Sequence, residues 1–257
     1  MTAQTQSGLE IWRDEGGRIA AFGHSGRDHS WLCMPPVATF RFDLGPRRVT
    51  ALPEPGACPD DVEEALYRAA VPLALHAFGH EALHASAVET PRGLAVFCAP
   101  AGTGKSTTAK SLASRGWRVW ADDVVVLRIE GSTVCGEPLP FRVRLRPEAA
   151  NHFGVRETVL PPWTQRISSA PVAAIFSLRR DPHLSQTVCV RTLDPAEAFP
   201  VLLSNAYCFS LSQPGRKRLM MAHYAALARL TPCRELVFRP GLENLRPMAE
   251  AIEGEVT

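Results

Sequence analysis

The sequence has almost no charge imbalance: 28 lysines and arginines stand against 26 aspartates and glutamates, a net +2. No global field draws in a polyanion, so nucleic acid is not an expected partner. Long apolar runs are missing as well. The uncharged stretch 69–80 contains Pro72, His76, Gly79 and His80 and is too short and too polar for a bilayer, so no membrane is expected either. The N-terminus, MTAQTQSGLEIW, lacks the basic start and apolar run of a secretory signal, which makes the protein's expected location cytoplasmic. There is no CxxC pair. The seven cysteines (Cys33, Cys58, Cys98, Cys135, Cys189, Cys208 and Cys233) are widely spaced and read as buried reduced thiols. Internal repeats and low-complexity tracts are absent.

What remains is a globular composition: 257 residues, 46% apolar and 21% charged, enough for one large domain, or for one plus a small appendage. Residues 9–50 carry alternating runs such as Thr39-Phe40-Arg41-Phe42-Asp43-Leu44, broken by Gly16-Gly17, Pro35-Pro36 and Gly45-Pro46. That pattern predicts short antiparallel strands, a β-rich subdomain over 1–58. The segment Leu52-Pro53-Glu54-Pro55-Gly56 reads as a linker, and Pro59-Asp60-Asp61 as the start of a helix toward His80, bent at Pro72. The catalytic domain is then expected over 59–257.

From Gly93 the pattern becomes strand (94–98), glycine loop (99–106), helix (107–115) and strand (117–121), a βαβ opening of an α/β fold. Later strands are expected at 124–129, 141–146, 172–178, 186–192 and 234–238. Asp194-Pro195-Ala196-Glu197 has the form of a capping box before a helix. Helical spacing of Leu219, Ala222, Ala226 and Leu230 marks another helix, and 242–253 a terminal one.

Ala99-Pro100-Ala101-Gly102-Thr103-Gly104-Lys105-Ser106 fits the phosphate-binding P-loop (Walker A) pattern, except that alanine replaces its first glycine. In such a loop the backbone amides of Ala101, Gly102, Thr103, Gly104, Lys105, Ser106 and Thr107 cradle nucleotide phosphates at a helix N-terminus. Lys105 reaches the terminal phosphates and Ser106 holds Mg²⁺, so ATP and Mg²⁺ are the expected cofactors. Seventeen residues after Lys105 come Asp122 and Asp123, at the end of a strand, where carboxyl ends line the ligand crevice. One carboxylate can hold the metal while the other takes a proton from an attacking hydroxyl. His84, on a strand beside the loop strand, is expected to orient Asp122.

This constellation of histidine, loop and Ala-Asp-Asp resembles the catalytic domain of the bacterial HPr serine kinase/phosphorylase family, itself similar to phosphoenolpyruvate carboxykinases. The match covers about residues 83–130. The resemblance implies a P-loop kinase core with His84 as partner of the base, Lys105 and Ser106 on phosphate and metal, Asp122 as general base and Asp123 as metal ligand. It also allows a homo-oligomer. The family's Glu-x-Arg-Gly-x-Gly signature is not matched: the region reads Gly136-Glu137-Pro138-Leu139-Pro140-Phe141-Arg142-Val143-Arg144-Leu145-Arg146. That argues against HPr as acceptor and against phosphorylase activity. The strand-rich front and the Leu-His-Ala-Ser-Ala-Val strand look like kinases that phosphorylate lasso-peptide precursors on serine. The expected partner is therefore a peptide or protein bearing an acceptor serine.

Three other readings compete. His80-Glu81-Ala82-Leu83-His84 spells the HExxH of zinc proteases, which must lie within a helix. A small-molecule kinase would use an arginine-bearing lid, for which Arg142, Arg144 and Arg146 or the cluster Arg216-Lys217-Arg218 are candidates. An ATP-binding regulatory module would leave the aspartate pair without a task. Strand alternation puts Arg142, Arg144 and Arg146 on one face, as a substrate-binding ledge, with Phe141, Val143 and Leu145 inward.

Overall fold

The fold is that of a computed structural model describing residues 4–6, 9–14, 16–156, 158–159, 168–210 and 212–256. It is a mixed α/β chain with two compact units, Met1–Ala82 with Tyr207–Met220, and Leu83–Ala206 with Met221–Thr257. The units do not divide at residue 58. The segment 54–57, expected as a linker, is a hydrogen-bonded turn (Ala57 N–H to Glu54 O, 3.0 Å). The helical stretch after it supplies Ala65, Ala70, Leu73 and Ala74 to the core of the first unit.

In that unit six antiparallel strands follow one another in sequence order: β1 (Gln4–Gln6), β2 (Leu9–Arg13), β3 (Ile19–Ser25), β4 (His29–Met34), β5 (Ala38–Asp43) and β6 (Arg48–Pro53). Alternation decides which side chains turn in: Phe40 and Phe42 are buried while Arg41 between them is exposed. Phe209, from the return segment, stacks near Trp12 and Phe42, with ring centroids 5.6 and 5.5 Å away. Helix α1 (Pro59–Ala65) carries Asp60 and Asp61 in its first turn, where the helix dipole favours acids. A π turn over 66–70 separates it from α2 (Val71–Ala77). Pro72 has no N–H to give the preceding turn, and the irregularity accordingly sits just before it. The helix ends at Ala77, short of His80. Glu81–Leu83 form a strand, β7, so the HExxH residues do not share a helix face. The zinc-protease reading falls with that geometry. Among the described residues no cluster of His, Cys, Asp and Glu is arranged to hold a metal.

The second unit begins with β8 (Ala85–Thr90) and β9 (Gly93–Cys98), followed by α3 (Lys105–Ala113) and β10 (Arg118–Ala121). A hairpin, β11 (Val125–Glu130) with β12 (Thr133–Glu137), leads to β13 (Val143–Arg144), α4 (Pro147–Phe153) and β14 (Thr158–Val159). Then come β15 (Ala170–Arg180), β16 (Val188–Leu193), α5 (Pro195–Ser204), α6 (Pro214–Leu230), β17 (Cys233–Phe238) and α7 (Leu245–Val256), with α6 starting in the first unit. Strands β9, β15 and β17 are parallel neighbours; β8 pairs antiparallel with both β9 and β10. The expected βαβ unit therefore exists with β8 inserted between its two parallel strands. Ala109 and Leu112 of α3 and Met248, Ala249, Ile252 and Val256 of α7 pack against Ala95, Phe97, Phe176 and Leu236 of the sheet.

The capping box at α5 is formed: Asp194 Oδ1 accepts from the amides of Ala196 and Glu197 at 2.8 Å, and Glu197 Oε2 accepts from Asp194 N–H at 3.0 Å. The strand expected at 141–146 shrinks to two residues, because Pro140 and Pro147 cannot donate to a ladder and Pro147 opens α4. Phe141, Val143 and Leu145 are nevertheless buried, in a cluster with Ala149 and Ala150. Of the cysteines only Cys98 and Cys233 are buried; all seven are free, and Cys58 and Cys189 are exposed. Cys189 lies on β16, which pairs only with β17 among the described strands and so has an open outer edge. Among the described residues no helix is long and apolar enough to cross a membrane.

Candidate functional site

The candidate site lies in the second unit, where β9 gives way to α3. Gly102 (φ 81°) and Gly104 (φ 118°) hold left-handed conformations that side chains resist, so the loop needs glycine at these two places. Ala99, at the position of the missing first glycine, is buried and does not have positive φ, which is why alanine serves there. Lys105 opens α3 with no acidic residue in the helix's own first turn, so the positive end of its dipole is left to charges from elsewhere. Its side chain is buried and folds back to donate from Nζ to Ala99 O at 2.9 Å. Burial lowers its pKa, opposed chiefly by the Asp123 charge.

Asp122 follows β10 directly and is 3% exposed. Its Oδ1 accepts from Ser86 Oγ at 2.5 Å and Ser106 Oγ at 2.8 Å, and its Oδ2 from the Arg144 amide at 3.1 Å. Burial, then the neighbouring Asp123 charge, push its pKa up to about 6, while the three hydrogen bonds pull the other way. Asp123 takes a left-handed φ of 66°, a conformation aspartate tolerates better than most residues, and so turns the chain sharply after the strand. His84 Nδ1 lies 3.1 Å from the Asp123 carbonyl, which places the ring proton on Nδ1. Burial, then the Lys105 charge, lower its pKa to about 4.

The structure thus brings His84, Lys105, Ser106, Asp122 and Asp123 together. His84 meets the backbone of Asp123, while Ser86, Ser106 and the Arg144 amide hold the Asp122 carboxylate. Of the arginine stripe, Arg142 and Arg144 are half-buried and Arg146 is exposed. The Arg146 guanidinium lies against Gly102, where a methyl group would run into it. Two residues escaped the sequence reading. Ser86 was visible as a hydroxyl set between the apolar residues Ala85, Ala87 and Val88 of a strand. Arg180 donates from Nε to Thr103 O at 3.0 Å; its signal was the Arg179-Arg180 pair ending a strand parallel to β9. Arg216, a candidate lid residue, is instead tied to Glu81 within the first unit.

A hydroxyl and a carboxylate, the oxygen donors that Ser106 and Asp123 offer, suit Mg²⁺, which takes few protein ligands and completes its shell with water and phosphate. Ser106 Oγ donates to Asp122, and the Asp123 charge acts on both Asp122 and Lys105 beside it.

No protein family matches the chain, and no curated protein matches it. Among solved structures it is similar to the Hpr(Ser) kinase/phosphatase from Coxiella burnetii, with a TM-score of 0.38 and 14% identity over 67% of this chain and 95% of that one. A similarity that low has no bearing on activity.

Proposed function

We propose that the chain is an ATP-dependent P-loop kinase of the HPr-kinase-like type that moves the γ-phosphoryl group onto a serine hydroxyl of a peptide or protein. The observation that carries this reading is a buried carboxylate, Asp122, with its pKa raised to about 6 and hydrogen-bonded to the Ser106 hydroxyl at the start of the loop helix. A carboxylate with that basicity is poised to accept a hydroxyl proton near neutral pH.

The loop amides and Lys105 bind and orient the phosphates; Lys105 must leave Ala99 O to do so. Ser106 and Asp123 would hold Mg²⁺, which when bound would supply positive charge to the phosphate oxygens, leaving Asp122 to act as the base. Asp122 removes the acceptor proton as the hydroxyl attacks in line. Arg146 and Arg180, both against the loop, add positive charge where the migrating group becomes most negative. His84, neutral, fixes the Asp123 backbone and thereby the turn that carries both aspartates. The missing Glu-x-Arg-Gly-x-Gly signature favours a ribosomal peptide precursor over HPr as acceptor.

The test is Asp122→Asn. Nucleotide affinity, read with a fluorescent ATP analogue, stays within a few-fold, while transfer to a serine peptide falls by roughly 10²–10⁴-fold. Wild-type turnover in that variant would sink the role. Phosphate found on a small metabolite, and on no peptide, would move the acceptor to the small-molecule class.

A further inference from the structure

The first unit has a small, partly open cavity of about 40 Å³ lined in part by Ser25, Ser30, His76, Phe209, Ser210 and Arg216. The phosphoryl-transfer reading makes no use of it. Ser30 and His76 are 1% and 2% exposed, and Ser30 Oγ and His76 Nε2 have no hydrogen-bond partner. Buried polar atoms in folded proteins are nearly always paired, so two orphans on one cavity point to a group that completes them. The ring's other nitrogen, Nδ1, accepts the Phe209 amide at 3.2 Å, which leaves the proton on Nε2. Burial, then the Arg216 charge, lower its pKa to about 3, so the ring is a neutral donor.

Among the described lining residues the one charged side chain, Arg216, is already engaged. Arg216 donates to Glu81 Oε1 at 2.5 Å and to the carbonyls of His76 and His80 at 2.9 and 3.1 Å. Ser210 donates to the buried Glu10. An entering anion would find the Arg216 guanidinium already taken by Glu81 and two carbonyls, and an entering cation would meet its charge. The volume holds roughly three water-sized groups, the size of a planar three-atom head group.

We propose that this cavity is a recognition site for an uncharged carboxamide at the end of a ligand, its oxygen accepting from His76 Nε2–H and its NH₂ donating to Ser30 Oγ. The site stands independently of the kinase reading. The test titrates acetamide into the full chain labelled with ¹⁵N in its histidine rings, with acetate, methylammonium and ethanol in parallel. Acetamide is expected to shift the His76 Nε2 resonance saturably, and Ser30→Ala to weaken that binding by roughly 5–10-fold. Ser30→Thr, which keeps the hydroxyl, retains the response and guards against a variant that merely misfolds. An equal response to acetate, methylammonium or ethanol would overturn the carboxamide assignment, as would a response indifferent to Ser30→Ala. Absence of any saturable shift with acetamide would give the orphan atoms to ordered water and end the proposal.

Discussion

Both units bury ionisable groups beside a cavity or loop, yet they handle them in opposite ways. Around Asp122 each carboxylate oxygen has a donor, and the group is still held at a pKa of about 6 because burial outweighs three hydrogen bonds. Around Arg216 the charge is neutralised locally by Glu81, and the unpaired buried atoms include neutral ones, on His76 and Ser30, beside the second Glu81 oxygen. The contrast teaches that satisfied hydrogen bonding and readiness to react are compatible when the cost falls on the charged form. An unsatisfied neutral donor, in contrast, marks where something else is to bind.

The largest expected effect that would break this contrast is at the loop. Lys105→Met should lower transfer by roughly 10²–10³-fold in kcat, since it removes a preorganised charge from the transition state. Steady-state kinetics at saturating ATP would check it, and an unchanged kcat would remove the lysine from the chemistry. Next in size, Arg216→Met leaves Glu81 buried without its partner and should destabilise the protein by about 3–5 kcal/mol in urea unfolding. The double change with Glu81→Leu should recover most of that loss; failure to recover would mean that Arg216 acts through the backbone carbonyls instead.

The pH dependence of stability comes next. His76 has a folded pKa of about 3 against 6.5 in the open chain, so the unfolded chain takes the proton first as pH falls. Stability contributed by the neutral ring is therefore lost on acidification between those two values, by up to about 1.4 kcal/mol per pH unit. His76→Gln should flatten that limb, measured by denaturant midpoints from pH 7 to 4; an unchanged slope would show that the ring is not buried neutral. The smallest effects belong to the exposed arginines. Arg146→Ala and Arg180→Ala should each lower kcat and kcat/KM together by roughly 3–10-fold if they touch the transition state. A change in peptide KM alone would make Arg146 a steering residue instead.

The amino-acid sequence by itself determined much of the candidate site. Two glycines, a lysine and a serine at fixed spacing after an apolar strand, and two aspartates ending the next, are local patterns that backbone geometry reads directly. The capping box at Asp194 was legible for the same reason, since all its partners lie within four residues. Tertiary structure alone decided the rest. Ser86 reaches Asp122 across 36 positions of chain and Arg180 reaches Thr103 across 77, because strand neighbours are chosen by sheet order, which no local pattern carries. The HExxH spelling failed likewise, since a motif means zinc only on a helix, and the chain around Glu81 is a strand whose acid is held by Arg216 from 135 positions away. The first unit's boundary was hidden too. Phe209 completes a core begun by Trp12, and burial of apolar surface joins residues by proximity rather than by order along the chain.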